Sequence, residues 1–95
     1  MYALKPTGQF KKDLKLCQRR GFDMASIAEV LEYLKNDGQV PESYSPHKLK
    51  GRNFQGLWEC HIEPNWLLVY DIQDTINLIA LARTGTHSDL FKKSK

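Results

Sequence analysis

The chain has 95 residues, of which 41% are hydrophobic and 26% charged, with six glycines and four prolines. That is the composition of one small folded domain and excludes a linker, a collagen or a disordered tail. The longest apolar runs, Trp66–Tyr70 and Leu78–Ala82, are five residues against the ~20 of a membrane-spanning helix, so no contact with a membrane is expected. Met1-Tyr2-Ala3-Leu4-Lys5-Pro6 lacks the apolar stretch of a secretory signal, which makes the cytoplasm the expected compartment and free thiols the expected state of Cys17 and Cys60.

The net charge of +3 is unevenly spread. Residues 1–20 hold six basic side chains and one acidic, residues 21–46 one and five, and residues 47–52 three and none. Residues 53–82 add four acids, and residues 83–95 four bases against one acid. Basic blocks that meet in a fold make a face for a polyanion.

In chain order, Tyr2–Lys5 reads as a short strand ended by Pro6-Thr7-Gly8. Phe10, Leu14 and Cys17 then fall at helical spacing, with Lys11, Lys12, Lys15, Arg19 and Arg20 elsewhere around a helix that ends near Gly21. Asp23 is placed to cap a second helix with the apolar stripe Met24, Ile27, Ala28, Leu31 and Leu34, stopped at Asn36-Asp37-Gly38. Loop chemistry fills residues 39–46, and His47–Gly51 suits a brief edge strand. From Leu57 the period becomes two, with Trp58, Cys60 and Ile62 on one face and Leu57, Glu59, His61 and Glu63 on the other. Pro64-Asn65 turns the chain into Trp66–Ile72, Asp74 makes the next turn, and Ile76–Arg83 is apolar on both faces as a central strand is. A glycine-containing turn, Thr84–His87, leads to one closing helical turn. The expected architecture is α+β, a helical hairpin on one face of a mainly antiparallel sheet. The domain is expected to span residues 1–91, with 92–95 a frayed basic tail.

The chemistry-bearing residues concentrate in the polar parts of this plan. Glu59 and His61, two apart on a strand, project to one side, where a carboxylate can orient an imidazole; an ordinary exposed sheet pair is the competing reading. His47 lies beside Lys48, Lys50 and Arg52, a setting that positions phosphates as readily as it merely solvates a loop. His87 follows a glycine turn at a strand end, a usual platform for a catalytic side chain. Arg83 is placed to meet a phosphate in bidentate fashion or, failing that, an acidic side chain. Trp58 and Trp66 are assigned to the core, while Phe54 and Phe91 are left open. Cys60 and His61 point to opposite faces and no CxxC or HExxH spacing occurs, so neither a metal nor a cofactor is expected.

Three segments together carry a resemblance: Pro46-His47-Lys48-Leu49-Lys50-Gly51, Trp58–Tyr70, and Arg83-Thr84-Gly85-Thr86-His87-Ser88-Asp89-Leu90-Phe91. In order and spacing they resemble the YafQ-type toxins of the RelE/ParE superfamily from the first helix to Phe91. The resemblance implies the RelE-like fold and a type II toxin, an endoribonuclease that enters the ribosomal A site and cleaves translated mRNA. It also implies neutralisation by a cognate antitoxin, with the toxin alone a monomer and the complex a hetero-oligomer. Carried over by position, His47, His61, His87 and Phe91 fall on active-site positions, Glu59 where those toxins often have aspartate, and Arg83 on a phosphate-facing arginine. In this reading His61 or His47 is the base, His87 the acid, Glu59 the residue that orients His61, and Phe91 a stacking platform. Lys11, Lys12, Lys15, Arg19, Lys48, Lys50, Arg52 and Asn65 are then the residues facing RNA. Asn65 departs from the pattern, since close relatives carry an aspartate there and an amide cannot act as a base. A gyrase inhibitor on the same fold and a catalytically weakened RNA- or antitoxin-binding module are the alternatives.

Overall fold

The computed structural model describes residues 1–51 and 56–91. The elements follow as β1 (Ala3–Pro6), α1 (Gly8–Arg19), α2 (Met24–Asp37), β2 (His47–Lys48), β3 (Trp58–Glu63), β4 (Trp66–Gln73), β5 (Leu78–Gly85) and α3 (His87–Leu90). Short 3-10 turns occupy Glu42–Tyr44 and Asp74–Ile76. The strands form one sheet in the order β1-β5-β4-β3-β2, with β1 parallel to β5 and every other neighbouring pair antiparallel. The expected α+β architecture with its helical hairpin and mainly antiparallel sheet is the one observed.

Local chemistry sets the helix ends. Thr7 Oγ1 accepts the Phe10 N–H at 3.1 Å to start α1, and an Asp23 carboxylate oxygen accepts the Ala25 N–H at 3.0 Å to start α2. Gly38 ends α2 in the left-handed region at φ 72°, its N–H donating to Leu34 O at 2.9 Å. A Cβ at that glycine would lie 2.4 Å from the Tyr2 ring, so the position is closed on steric as well as conformational grounds.

The core lies between the helices and one face of the sheet. Phe10 and Cys17 from α1 and Ile27, Val30 and Leu34 from α2 meet Cys60, Ile62, Leu68, Tyr70, Ile79 and Leu81. The apolar stripe of α2 differs from the expected one. Ala28 is exposed and Val30 fully buried, because the branched side chain removes more apolar area from water than a methyl does. Trp66 is buried as expected, whereas Trp58 packs on the core only in part and carries the Lys48 ammonium 5.8 Å from its ring centroid. The last strand starts at Leu78, not at Ile76, which lies exposed in the preceding turn. Cys17 and Cys60 are buried free thiols.

The sheet face turned away from the helices positions the site. Register sets Glu59 opposite Val69 and His61 opposite Leu67, so that Leu67 and Val69 form an apolar floor beside the two polar residues. A bulge in β5 sets Arg83 opposite Val69 and Leu81 opposite Tyr70, with Ala82 the extra residue. β1 ends opposite Leu81, and α1 takes over the edge of β5 beyond it: the Thr84 N–H donates to Asp13 Oδ2 at 3.1 Å.

Candidate active site

The β2–β3 pairing brings His47 directly across from Glu59, and His61 follows Glu59 by two positions on the same face. One carboxylate oxygen therefore lies nearest to both rings. Glu59 Oε1 lies 3.0 Å from His47 Nε2 and 4.0 Å from His61 Nε2, with the ring centroids 6.3 Å apart. Glu59 was expected to orient His61; the structure sets it closer to His47. Its side chain is only 7% exposed, and its second oxygen, Oε2, is buried without a hydrogen-bond partner. The competing picture of an exposed sheet pair does not describe this carboxylate.

Both nitrogens of His47 face acceptors. Nδ1 lies 3.1 Å from Ser45 O and Nε2 faces the carboxylate. An imidazole between two acceptors satisfies both only with a hydrogen on each nitrogen, unless the carboxyl supplies one. Either arrangement puts a hydrogen bond between His47 and Glu59. His61 is held similarly, with Nδ1 3.4 Å from Pro64 O.

The opposite wall comes from α3. Thr86 caps this single turn, and Asp89 closes a capping box with it: the Asp89 N–H donates to Thr86 Oγ1 at 3.2 Å and the Thr86 N–H to Asp89 Oδ2 at 2.9 Å. His87 and Phe91, four residues apart, share one side of the turn with ring centroids 5.1 Å apart. Together with His47, Leu49, Lys50 and Glu59 they line an open cleft of about 340 Å³, within the usual range for ligand sites.

Four of the six expected catalytic residues, His47, Glu59, His87 and Phe91, thus line one cleft. His61 stands 4.0 Å from the same carboxylate but lines another hollow with Ser43, Ser45 and Pro64. Arg83 donates from Nε and Nη2 to the two Asp13 oxygens at 2.7 and 3.2 Å, the acidic partner that was the alternative to a phosphate. Asn65 sits exposed in the β3–β4 turn and lines a separate groove with Phe22, Asp23 and Trp66. Lys11, Lys12, Lys15, Arg19, Lys48 and Lys50 are exposed, with α1 against β5 and β2 at the far edge of the sheet. Arg52, Phe54 and the tail at 92–95 lie outside the described residues. Among the described residues no group of three or more His, Cys, Asp or Glu is arranged to hold a metal ion, and no helix is long and apolar enough to cross a membrane.

Sequence reasoning missed three residues that hold this frame: Asp13, Arg20 and Asp89. Asp13 accepts from Gln9, Arg83 and the Thr84 backbone and is 8% exposed. Arg20 donates to both oxygens of Asp89 at 2.7 and 3.2 Å, and this guanidinium, with the cap hydrogen bonds, holds the Asp89 carboxyl down at about 2. Thr86-His87-Ser88-Asp89 is a capping-box spacing and was a readable signal for Asp89. Burial, reinforced by the neighbouring Glu59 charge, pushes the Cys60 thiol up to about 12.

Comparison with known proteins defines the class. The family model described as bacterial toxin of type II toxin–antitoxin system, YafQ, matches residues 2–92. The chain belongs to this family of bacterial toxins. It is 38% identical over 86 residues to the mRNA interferase toxin YafQ of Escherichia coli K12, covering 90% of each chain. Among solved structures it resembles YafQ from E. coli BL21(DE3), with a TM-score of 0.86, 35% identity, and 96% and 99% of the two chains covered. The toxin in the E. coli DinJ–YafQ complex is similar at a TM-score of 0.85 and 36% identity, with the same coverage.

Proposed function

We propose that the chain is an endoribonuclease that cleaves translated mRNA in the ribosomal A site, an extension of the activity for which its curated relatives are named. The observation that carries the reading is the convergence of His47, Glu59, His87 and Phe91, from β2, β3 and the α3 turn, on one cleft. Attack of a ribose 2′-oxygen on the adjacent phosphorus requires loss of the 2′-OH proton, and expulsion of the 5′-oxygen requires gain of one. Acid–base help with each transfer is worth ~10²–10⁴-fold.

The His47–Glu59 pair takes the 2′-OH proton in this mechanism. Glu59 Oε1, the oxygen turned toward both imidazoles, is the acceptor in this pair, and His47 steadies the charge on the carboxylate. His87, across the cleft, gives a proton to the departing 5′-oxygen. Lys50, which lines the cleft, opposes the charge that builds on the phosphoryl oxygens. Phe91 offers its ring to a base. His61 is the second imidazole beside Glu59. Arg83 stands one strand beyond β4 from Glu59, roughly 10 Å at the spacing of strands, and its role toward phosphate is through whichever guanidinium edge Asp13 leaves open.

Exposed Lys11, Lys12, Lys15, Arg19 and Lys48 supply further phosphate contacts, with Arg52 and Asn65 as additional RNA-facing positions. The toxin acts in the cytoplasm and is silenced by a cognate antitoxin, as the E. coli relative is solved in complex with DinJ; an acidic antitoxin segment suits the basic faces. Primer extension on mRNA from a translation reaction, with a naked-RNA control, tests the reading. Codon-phased cuts that require ribosomes and vanish with His87→Ala are expected; growth arrest without cuts would move the assignment to a gyrase inhibitor.

A further inference from the structure

The α3 turn has four residues, too few to hold a helix by its own hydrogen bonds, yet it carries two residues of the cleft. Its two sides do different work. His87 and Phe91 face the cleft, and Asp89, two residues after His87 and therefore roughly 200° around the turn, faces back. There its carboxylate receives the Thr86 N–H and both Arg20 nitrogens. Arg20 is the last residue of α1's frame, its own N–H bonded to Leu16 O at 3.0 Å, and α1 is fixed in the core through Phe10 and Cys17. The strand end is fitted to the same carboxylate: a Cβ on Gly85 would fall 2.9 Å from Asp89 Oδ2.

We propose that Arg20 and Asp89 form a positioning clamp that ties the α3 turn to α1 and so fixes the His87 and Phe91 rings against the His47–Glu59 pair. The inference rests on the nuclease reading of that cleft. The ion pair itself is partly exposed, with side chains 38% and 25% accessible, and a pair of that kind adds little to overall stability. Placement is where its effect is large, because a displacement of about 1 Å at a reacting group costs on the order of 10²-fold in rate.

The test combines ring NMR with single-turnover cleavage in a translating system for Arg20→Gln, Arg20→Lys and Asp89→Asn, each alone and with His87→Ala. In the free protein, Arg20→Gln is expected to shift the His87 ring resonances and weaken the cross-peaks between the His87 and Phe91 rings while the melting temperature barely moves. Unchanged ring spectra would overturn the clamp even if the wild type cleaved no RNA, which would defeat the nuclease reading alone. In cleavage, Arg20→Gln is expected to lower the maximal rate about 10-fold or more with KM nearly constant, Arg20→Lys to recover part of it, and neither to slow a His87→Ala protein further. A loss that appears in KM, or that multiplies with His87→Ala, would instead make Arg20 an RNA contact and overturn the proposal.

Discussion

Two buried acids at the residue scale show how much a side chain's partners decide. Glu59 and Asp13 are similarly buried, but Asp13 has every oxygen engaged by Arg83, Gln9 or Thr84, while Glu59 keeps one oxygen unpartnered. A satisfied buried carboxylate is a strut; one with an unpartnered buried oxygen carries an unmet hydrogen-bonding demand. Asp13→Asn is expected to lose about 3 kcal/mol of stability, since it leaves Arg83 without its counter-charge in a partly buried site, and denaturant unfolding measures it. The thiols are inert by the same logic. Cys17 and Cys60 are buried at 1% and 0% exposure and burial raises both, so neither is expected to react with a thiol reagent at pH 8 until the protein unfolds.

At the scale of elements, α2 was readable almost to the residue because its caps are local: Asp23 and Gly38 act on backbone within four positions. Gly38→Ala is expected to lower stability by more than about 1 kcal/mol, the cost of a left-handed φ together with the clash on Tyr2, as a drop in melting temperature. The α3 turn was also legible, but what holds it was not, because Arg20 and Asp89 are 69 residues apart. The Glu59–His61 pairing is visible along one strand, whereas the shorter Glu59–His47 contact depends on the β2–β3 register, which no local pattern displays. The sequence left Arg83 between a phosphate and an acidic side chain for a similar reason: Asp13 lies 70 residues away, on a helix whose other charges are basic.

Asp89 gives α3 a pH dependence of known sign. Its folded-state carboxyl is held at about 2, below the ordinary 3.8. A depressed carboxyl stabilises above the unfolded value and loses that contribution as the pH falls through the folded one. The Arg20–Asp89 contribution is therefore expected to be nearly complete above about pH 4 and to vanish as the pH falls below about 2, seen as an acid-unfolding difference between wild type and Asp89→Asn that closes at the low end.

Across the whole molecule, charge and topology divide the labour. The helices and one sheet face make the core, the opposite face carries the cleft, and the exposed lysines of α1 and β2 stand at opposite edges of the sheet. The three-block charge map was legible in the sequence, but whether the blocks meet is a property of strand order. With Lys50 in the wall of the cleft, Lys50→Ala is expected to weaken binding to a single-stranded RNA and to flatten its log-affinity against log-salt slope by about 0.7, the value for one lost phosphate contact. Titration at several salt concentrations reads this directly.

The claim on which the rest depends is that His47 and Glu59 act as one proton-accepting unit in the cleft. The most direct measurement is the single-turnover cleavage rate of mRNA in a translating system for His47→Ala, Glu59→Gln and the double variant. Each single substitution is expected to slow cleavage about 10²-fold or more, with the double variant no slower than the worse single. Wild-type rates in either single variant, or losses that simply multiply, would contradict it.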